Sequence, residues 1–510
     1  MAMGFQRFSK VRSGALYIGA PEAEAESLPN SKVSLNDVYE DHHDLFGETS
    51  NEKFIIIGRK GCGKSAFAEY SYLSSKDDPN NFCTFIRQDT VSLEQLIQLG
   101  QTAGIEQKKE SLFKWLIYTN ILKLFFDNEA AQQAPDYKML KEFLKKNSGY
   151  IDIDKGEVVE LVRKYKFEVS IEQFKRFFKG KYNQDVEIKE SRAPYYKLLP
   201  HLEKVIVDVL TSKENIENEN FYAVFFDDLD INFKASDAES VDNIISLLRT
   251  SKHVNNNVFA KNGANAKVII LIRDDVERLL SPMESDIAKL FSSYGTDLSW
   301  YEEDYSKPGK EETLGLKKLI VKRVENAFNK AEMPITNKTA WESLVGDHFT
   351  PKSAFKYIAD HTFLRPRDLI LFFKPLESGR YTLPLSKQDV NALIGLYASG
   401  LIKELSNELS SFYEPHQIQN IWDATKEINR QYNCTYERAI EIVREHCDSV
   451  TPEKILDDLF DRSIIGCIEK STSFVRFKIK ISKKDAEDYK IDKEGFIIVQ
   501  SGVKSYLQNR

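Results

Sequence analysis

Eight residues, Gly58-Arg59-Lys60-Gly61-Cys62-Gly63-Lys64-Ser65, satisfy G-x-x-x-x-G-K-[ST] at every fixed position. The chemistry that needs this spacing is the grip on a triphosphate. Glycines let the backbone turn so that successive N–H groups face the β- and γ-phosphates. Lys64 neutralises charge at those phosphates and the Ser65 hydroxyl takes a position on Mg²⁺. Ala66 lies in the helix whose positive end meets the same oxygens. Gly58, Gly61, Cys62, Gly63, Lys64, Ser65 and Ala66 are the expected nucleotide-binding set, with ATP and Mg²⁺ as cofactors. The alternative is a chance glycine-rich turn, which the flanking strand and helix patterns disfavour.

A second group begins at Asp227-Asp228, directly after the apolar run 221–226. A buried strand delivers carboxylates to the edge where a phosphate loop also lies. Asp227 is expected to hold Mg²⁺ through water, and Asp228 to orient or deprotonate the attacking water. Asp230 shares the face of Asp228 if the strand continues. The alternative is a solvated acidic turn. Arg273 follows the run 268–272 and has two readings: a partner for the γ-phosphate, or an ion pair with Asp274 or Asp275. Arg365-Pro366-Arg367-Asp368 opens a helix, Pro366 suiting its first position. Either Arg365 or Arg367 reaches the nucleotide, or the pair is an exposed charged helix start. The expected catalytic residues are thus Lys64, Asp228 and Arg273, the metal ligands Ser65 and Asp227, and Arg365 and Arg367 join the nucleotide set.

Positioning these residues requires particular elements. Apolar runs at 53–57, 82–86, 221–226 and 267–272, with a weaker one at 296–300, alternate with helical patterns such as 65–73, which predicts a parallel sheet wrapped by helices. A short helix is expected within 35–46. Residues 91–215 read as a helical insertion, with apolar residues three and four apart at 111–126, 139–146, 157–165 and 198–210. Helices are expected again at 314–328, 354–358, 367–373 and 387–409. In the tail, helices at 436–446 and 452–461 precede strands at 473–481 and 494–499 and a short helix at 503–507, the order of a winged-helix module. The expected domains are an N-terminal segment 1–50, an ATPase core of 51–90 and 216–305, the insertion 91–215, a helical lid and linker 306–430, and a winged-helix-like domain 431–510.

Bulk properties narrow the class. A chain of 510 residues exceeds one core and predicts roughly two to four packed units. Its 71 Lys and Arg against 78 Asp and Glu give a net charge of −7, which argues against a general binder of nucleic-acid backbones. The five cysteines show no metal-ligand spacing, and one lies inside the loop, so a reducing cytoplasm is expected. No apolar run approaches the ~20 residues that span a bilayer, so no membrane partner is expected. Nucleic acid remains a candidate partner at two places. Arg476, Lys478 and Lys480 alternate with apolar residues and would share one strand face, with Lys483 and Lys484 beyond; Lys175, Arg176, Lys179 and Lys181 cluster in the insertion. Solvated faces are the alternative for both. The guanine signature N-K-x-D is missing, since Asn337-Lys338-Thr339-Ala340 lacks the acid, and no L-S-G-G-Q occurs.

The order of the loop, the Asp227-Asp228-Leu229-Asp230 strand end, Arg273 and Arg365-Pro366-Arg367-Asp368 resembles the AAA+ and STAND-type P-loop ATPases of prokaryotes, including origin-recognition and KAP ATPases. Asp297-Leu298-Ser299-Trp300, followed by 316–324 with Arg323, is similar to their strand-and-lid junction. The resemblance covers most of 53–375 outside the insertion. It implies an α/β fold with a five-stranded parallel core in the order 5-1-4-3-2, a helical lid and a winged-helix tail. It also implies ATP hydrolysis as a nucleotide switch or assembly motor, a homo-oligomer with a protein partner or effector, and roles in DNA maintenance, signalling or anti-phage defence. Arg278 is a candidate for an arginine acting in trans. Asp228 stands where AAA+ proteins usually carry Glu, which matches the STAND-like side. A DNA-bound ATPase and a non-hydrolysing ATP-binding scaffold are the competing functions.

Overall fold

The computed structural model describes residues 11–14, 16–87, 109–128, 137–148, 168–228, 233–307, 309–346, 349, 352–447, 450–481 and 489–508. The helix expected at 157–165, Asp230, and Lys483 and Lys484 lie outside the described residues. The structure divides into two compact units. His43–Arg59 and Phe67–Leu298 form the first; the chain up to His42, Lys60–Ala66 and the chain from Ser299 onward form the second.

The first unit is built on five parallel strands: β1 Ile55–Ile57, β2 Asn81–Arg87, β3 Phe221–Asp227, β4 Ala266–Ile272 and β5 Gly295–Asp297. They lie in the order β2-β3-β4-β1-β5. In-register pairs include Arg87 with Asp227, Phe226 with Ile270, Ile57 with Ile272 and Ile57 with Asp297. The three central strands carry near-continuous apolar runs because both faces of the sheet are covered. Helix α1, Lys64–Asp77, follows the phosphate loop, and its Phe67 meets Phe225 edge-on at 5.9 Å. Helix α2, Lys109–Asp127, lies on the opposite face, where Phe113 meets Phe226 at 6.4 Å. Adjacent residues of β3 thus feed two faces, as a pleated strand demands.

Helix α2 is buried almost all round, and with α3, Leu199–Leu210, it belongs to the same apolar cluster as the sheet. The stretch read as an insertion therefore shares the core of this unit. It also contains an antiparallel pair that periodicity did not suggest, Glu168–Ser170 with Arg192–Pro194. The helix expected within 35–46 is instead two short ones, Leu35–Val38 and Leu45–Ser50, and Asp44 in a left-handed conformation (φ 51°) precedes the second.

The second unit is mainly helical: α4 Gly315–Lys330, α5 Pro366–Phe373, α6 Lys387–Leu409, α7 Pro415–Arg430, α8 Tyr436–His446, α9 Pro452–Asp461 and α10 Ser501–Gln508. Their buried stripes form one apolar cluster. Helix α6 starts with a capping box in which Ser386 and Asp389 satisfy each other's backbone N–H groups. The tail carries three antiparallel strands, β6 Ile465–Ile468, β7 Val475–Arg476 and β8 Phe496–Val499, in the order β7-β6-β8. The two strands expected here do not pair with each other, because the unanticipated β6 lies between them. The expected strand 473–481 is also shorter. After Arg476 the chain turns into a 3₁₀ segment, Lys478–Lys480, where Ser463 Oγ accepts from the N–H of Ile479 at 2.8 Å.

All five cysteines are buried free thiols. Among the described residues no helix is long and apolar enough to cross a membrane.

Asp360 ties the tail to the helices before it. Its carboxylate meets Lys480 at 2.6 Å, Tyr305 at 2.9 Å and Lys352. Burial alone would raise its pKa, but Lys480 and Lys352 hold it below the ordinary carboxylate value. A carboxyl depressed in this way adds stability that is complete above its unfolded pKa and is lost as pH falls through its folded value. Asp360→Asn is expected to destabilise this unit by roughly 1–3 kcal/mol at pH 7. In thermal melts taken at a series of pH values, the gap between variant and parent closes below about pH 3.9.

Candidate nucleotide site

Parallel strands bring the residues at their carboxyl ends to one edge of the sheet. In the first unit this edge carries Arg87, Asp227, Gly58 and Arg273. Gly58 continues β1, and its N–H donates to Ile272 O at 3.2 Å. Asp227 is only 2 % exposed. Its Oδ1 accepts from the N–H of Asp228 at 3.0 Å, and its Oδ2 lies 3.7 Å from Arg87 Nη2. Arg87 in turn reaches Glu69 on α1 at 2.6 Å and stacks over Phe85 at 4.0 Å. Asp228 is half-buried and adopts a left-handed backbone (φ 59°), so the strand ends there in a sharp turn. Non-glycine residues hold that conformation at a cost and cluster at functional sites.

Arg273 reaches one of the two acids that follow it. Its guanidinium forks onto Asp275, with Nε at 2.9 Å from Oδ1 and Nη2 bound to Oδ2. Arg278 pairs with Asp274 at 2.7 Å.

Lys60–Ala66 of the loop belong to the second unit, and contacts there explain why. Gly61 and Gly63 have φ of 80° and 109°, conformations that suit glycine. A Cβ on Gly61 would come within 2.9 Å of Arg367 Cβ. The loop carbonyls accept from this unit in succession: Lys60 O from Arg365 Nη1 at 2.9 Å, Gly61 O from the N–H of Arg367 at 3.3 Å, and Cys62 O from Trp300 Nε1 at 2.7 Å. Lys64 begins α1, so Ser65 and Ala66 stand in its first turn, where orphan N–H groups favour an anion.

Neither arginine at the start of α5 is the exposed charge that one reading allowed. Arg365 is 1 % exposed. It donates to Asp368 at 2.8 and 3.0 Å, to Glu408 at 3.1 Å and to Glu404 at 3.3 Å. Burial opposes its charge, but Asp368 and Glu404, with Glu408, outweigh that and raise its pKa well above the ordinary value. Arg367 donates to Pro21 O at 3.0 Å and to Glu404 at 3.4 Å. Arg323, named with the lid junction, is buried in a fork with Glu26 at 2.7 and 2.8 Å.

The cations of the tail do not share a strand face. Arg476 pairs with Glu469 at 3.2 Å, Lys478 with Asp461 at 3.6 Å, and Lys480 with Asp360. In the other cluster Arg176 pairs with Glu172, Lys179 with Asp185, and Lys175 donates to Glu190 O.

Residue reasoning missed Arg87, Glu404 and Glu408, and named Trp300 only with the strand-and-lid junction, without its bond to the loop. Arg87 was discoverable, since it ends the 82–86 run as Asp227 ends its own. Glu404 and Glu408, four apart on a helix, share a face, but nothing local says that the face is turned to Arg365.

Comparisons with known proteins add little beyond this geometry. Residues 314–404 match the FunZ-associated C-terminal helical domain, a stretch that includes Arg365, Arg367, Asp368 and Glu404. No curated protein matches the chain. Among solved structures, it is similar to the crystal structure of Cdc6p from Pyrobaculum aerophilum, at 11% identity over 95% of this chain and 98% of that one. The TM-score is 0.29, a superposition too loose to bear on the site.

Gly61→Ala is expected to destabilise the second unit through two effects, the left-handed backbone and the contact with Arg367. Gly309→Ala, with φ of 73° and open space around it, carries the first effect alone. Thermal melts should place the glycine-61 variant lower by roughly 1–3 kcal/mol.

Proposed function

We propose that the chain binds ATP with Mg²⁺ and hydrolyses it, using nucleotide state to switch its association with a protein partner or with further copies of itself. The observation that carries this reading is the loop: G-x-x-x-x-G-K-S between a parallel strand and a helix, with left-handed glycines at 61 and 63. That backbone turns successive N–H groups into a concave anion cradle, and α1 adds its positive end. In this reading Lys64 and the N–H groups of the loop hold the β- and γ-phosphates. Ser65 and, through water, Asp227 would hold Mg²⁺, which when bound shields the phosphate charge. Asp227 suits that role because it is a buried carboxylate at the end of a central strand. Asp228 orients a water for attack on the γ-phosphorus and accepts its proton as the bond to the leaving ADP oxygen breaks.

The finer assignment is an AAA+ or STAND-type ATPase. It is supported by the strand order, with the loop after β1 and the paired acids after β3, and by a helical unit whose residues touch the loop. Helices α8 and α9 followed by β6 to β8 support a winged-helix-like tail. The proposed domains keep the expected boundaries, with 306–430 as lid and linker. Arg273, Arg365 and Arg367 stay in the proposed set; Arg365 and the N–H of Arg367 also bond the backbone of the loop, and Arg273 also pairs with Asp275. The DNA-bound reading loses its main support, because Arg476, Lys478 and Lys480 each meet a carboxylate.

Two variants test the assignment. Lys64→Ala should weaken MgATP binding by about 100-fold, read by calorimetric titration. Asp228→Asn should cut turnover by about 100-fold or more while leaving MgATP affinity within about threefold. Parental protein that binds no adenine nucleotide would end the reading; binding without turnover would leave only a scaffold.

A further inference from the structure

The hydrogen bonds to the loop carbonyls carry a consequence for its N–H groups. In a trans peptide the C=O of one residue and the N–H of the next point in opposite directions. Lys60 O, Gly61 O and Cys62 O are held by Arg365, the N–H of Arg367 and Trp300, so the N–H groups of Gly61, Cys62 and Gly63 are turned away from those three donors. These are three consecutive members of the anion cradle, and their direction is set from behind.

Both side-chain donors are themselves fixed. Arg365 stands among Asp368, Glu404 and Glu408, and the turn that delivers it is strained. Leu364, buried, takes φ 53°, and Asp368 Oδ2 also accepts from the N–H of Phe363 at 3.0 Å. The Trp300 ring stacks on His42, with centroids 6.0 Å apart and planes 14° from parallel. His42 Nε2 meets Glu302 Oε1 at 2.9 Å, and Glu302 Oε2 accepts from the N–H of Gly315 at the start of α4 at 2.8 Å. Each donor is therefore rooted in the helical unit, one through α5 and α6 and the other through α4 and the segment ending at His42.

We propose that Trp300 and Arg365 are positioning residues that preset the phosphate-facing amides of the loop, and that the helical unit thereby governs affinity for the polyphosphate group. This rests on the nucleotide reading given above. A preset cradle loses less freedom on binding than one that must be ordered by its ligand. A shift of α6 that moved Glu404 and Glu408 would leave Arg365 answered by Asp368 alone among these acids and would redistribute Nη1 between Glu408 and Lys60 O. The buried acid cluster is thus a route from helix packing to phosphate affinity.

Trp300→Phe tests this with little risk to folding, since it keeps an aromatic ring and removes one N–H. The probes are MgATP and inorganic tripolyphosphate with Mg²⁺, titrated calorimetrically into the full chain, with thermal melts of the ligand-free protein alongside. The expected result is about tenfold weaker binding of both probes, the worth of one hydrogen bond, with a melting midpoint close to that of the parent. Arg365→Lys should repeat the loss, because an ammonium on a single point cannot serve three carboxylates and Lys60 O together. Equal binding of both probes by folded Trp300→Phe overturns the proposal. So does a loss confined to MgATP, which would mean that Trp300 acts on the nucleoside. Parental protein that binds neither probe defeats the nucleotide reading itself, a result distinct from either.

Discussion

The charge of Arg365 can be buried to 1 % exposure because Asp368, Glu404 and Glu408 surround it, and that requirement ties separate stretches of chain together. Withdrawing an ion from water costs several kcal/mol unless its donors are answered nearly completely. A guanidinium presents its donors in one plane, so the acceptors must come from fixed directions. Asp368 takes one side, α6 supplies the glutamates, and Lys60 O shares Nη1 with Glu408. The loop carbonyl thus receives a donor that carries charge, a stronger bond than a neutral amide would give. Arg367, next but one, adds its backbone N–H to Gly61 O and packs where only a glycine fits.

The sheet meets a different requirement. Its apolar strands satisfy their backbone groups with one another, which leaves the residues just past the strand ends to do chemistry. Asp227 is held at such an end by its pairing with Arg87 in the neighbouring strand, and Arg87 is answered by Glu69. A carboxylate at 2 % exposure needs a cation or polar hydrogens nearby, and the register with β2 provides the cation.

Much of this was readable from residue pattern. The apolar runs at 82–86, 221–226 and 267–272 each became a strand of one parallel sheet, and in the two central ones burial on both faces demands nearly uninterrupted apolar residues. Helices such as Tyr436–His446 and Lys387–Leu409 followed from apolar spacing and clear end signals. The failures have physical causes. Alternation over 475–481 is a local property, whereas the chain there bends into a 3₁₀ turn because Ser463, sixteen residues from Ile479, captures its backbone. Strand β6 is only four residues long, and the glycine and cysteine at its centre interrupt its isoleucines. The acids around Arg365 were invisible because only the folded chain brings Glu404 and Glu408 to it. That Arg273 pairs with Asp275 while Asp274 goes to Arg278 depended on side-chain reach, which spacing does not encode.

Phe225 and Phe226 have an effect beyond filling two cores. One ring is received by Phe67 of α1 and the other by Phe113 of α2, so the strand is indexed by two bulky pegs in sockets on opposite sides. A one-residue slip would exchange the pegs and reverse every side chain of the strand. The carboxylate of Asp227 immediately follows the second peg, and its aim is therefore inherited from aromatic packing, with no polar contact needed to choose between the two sides.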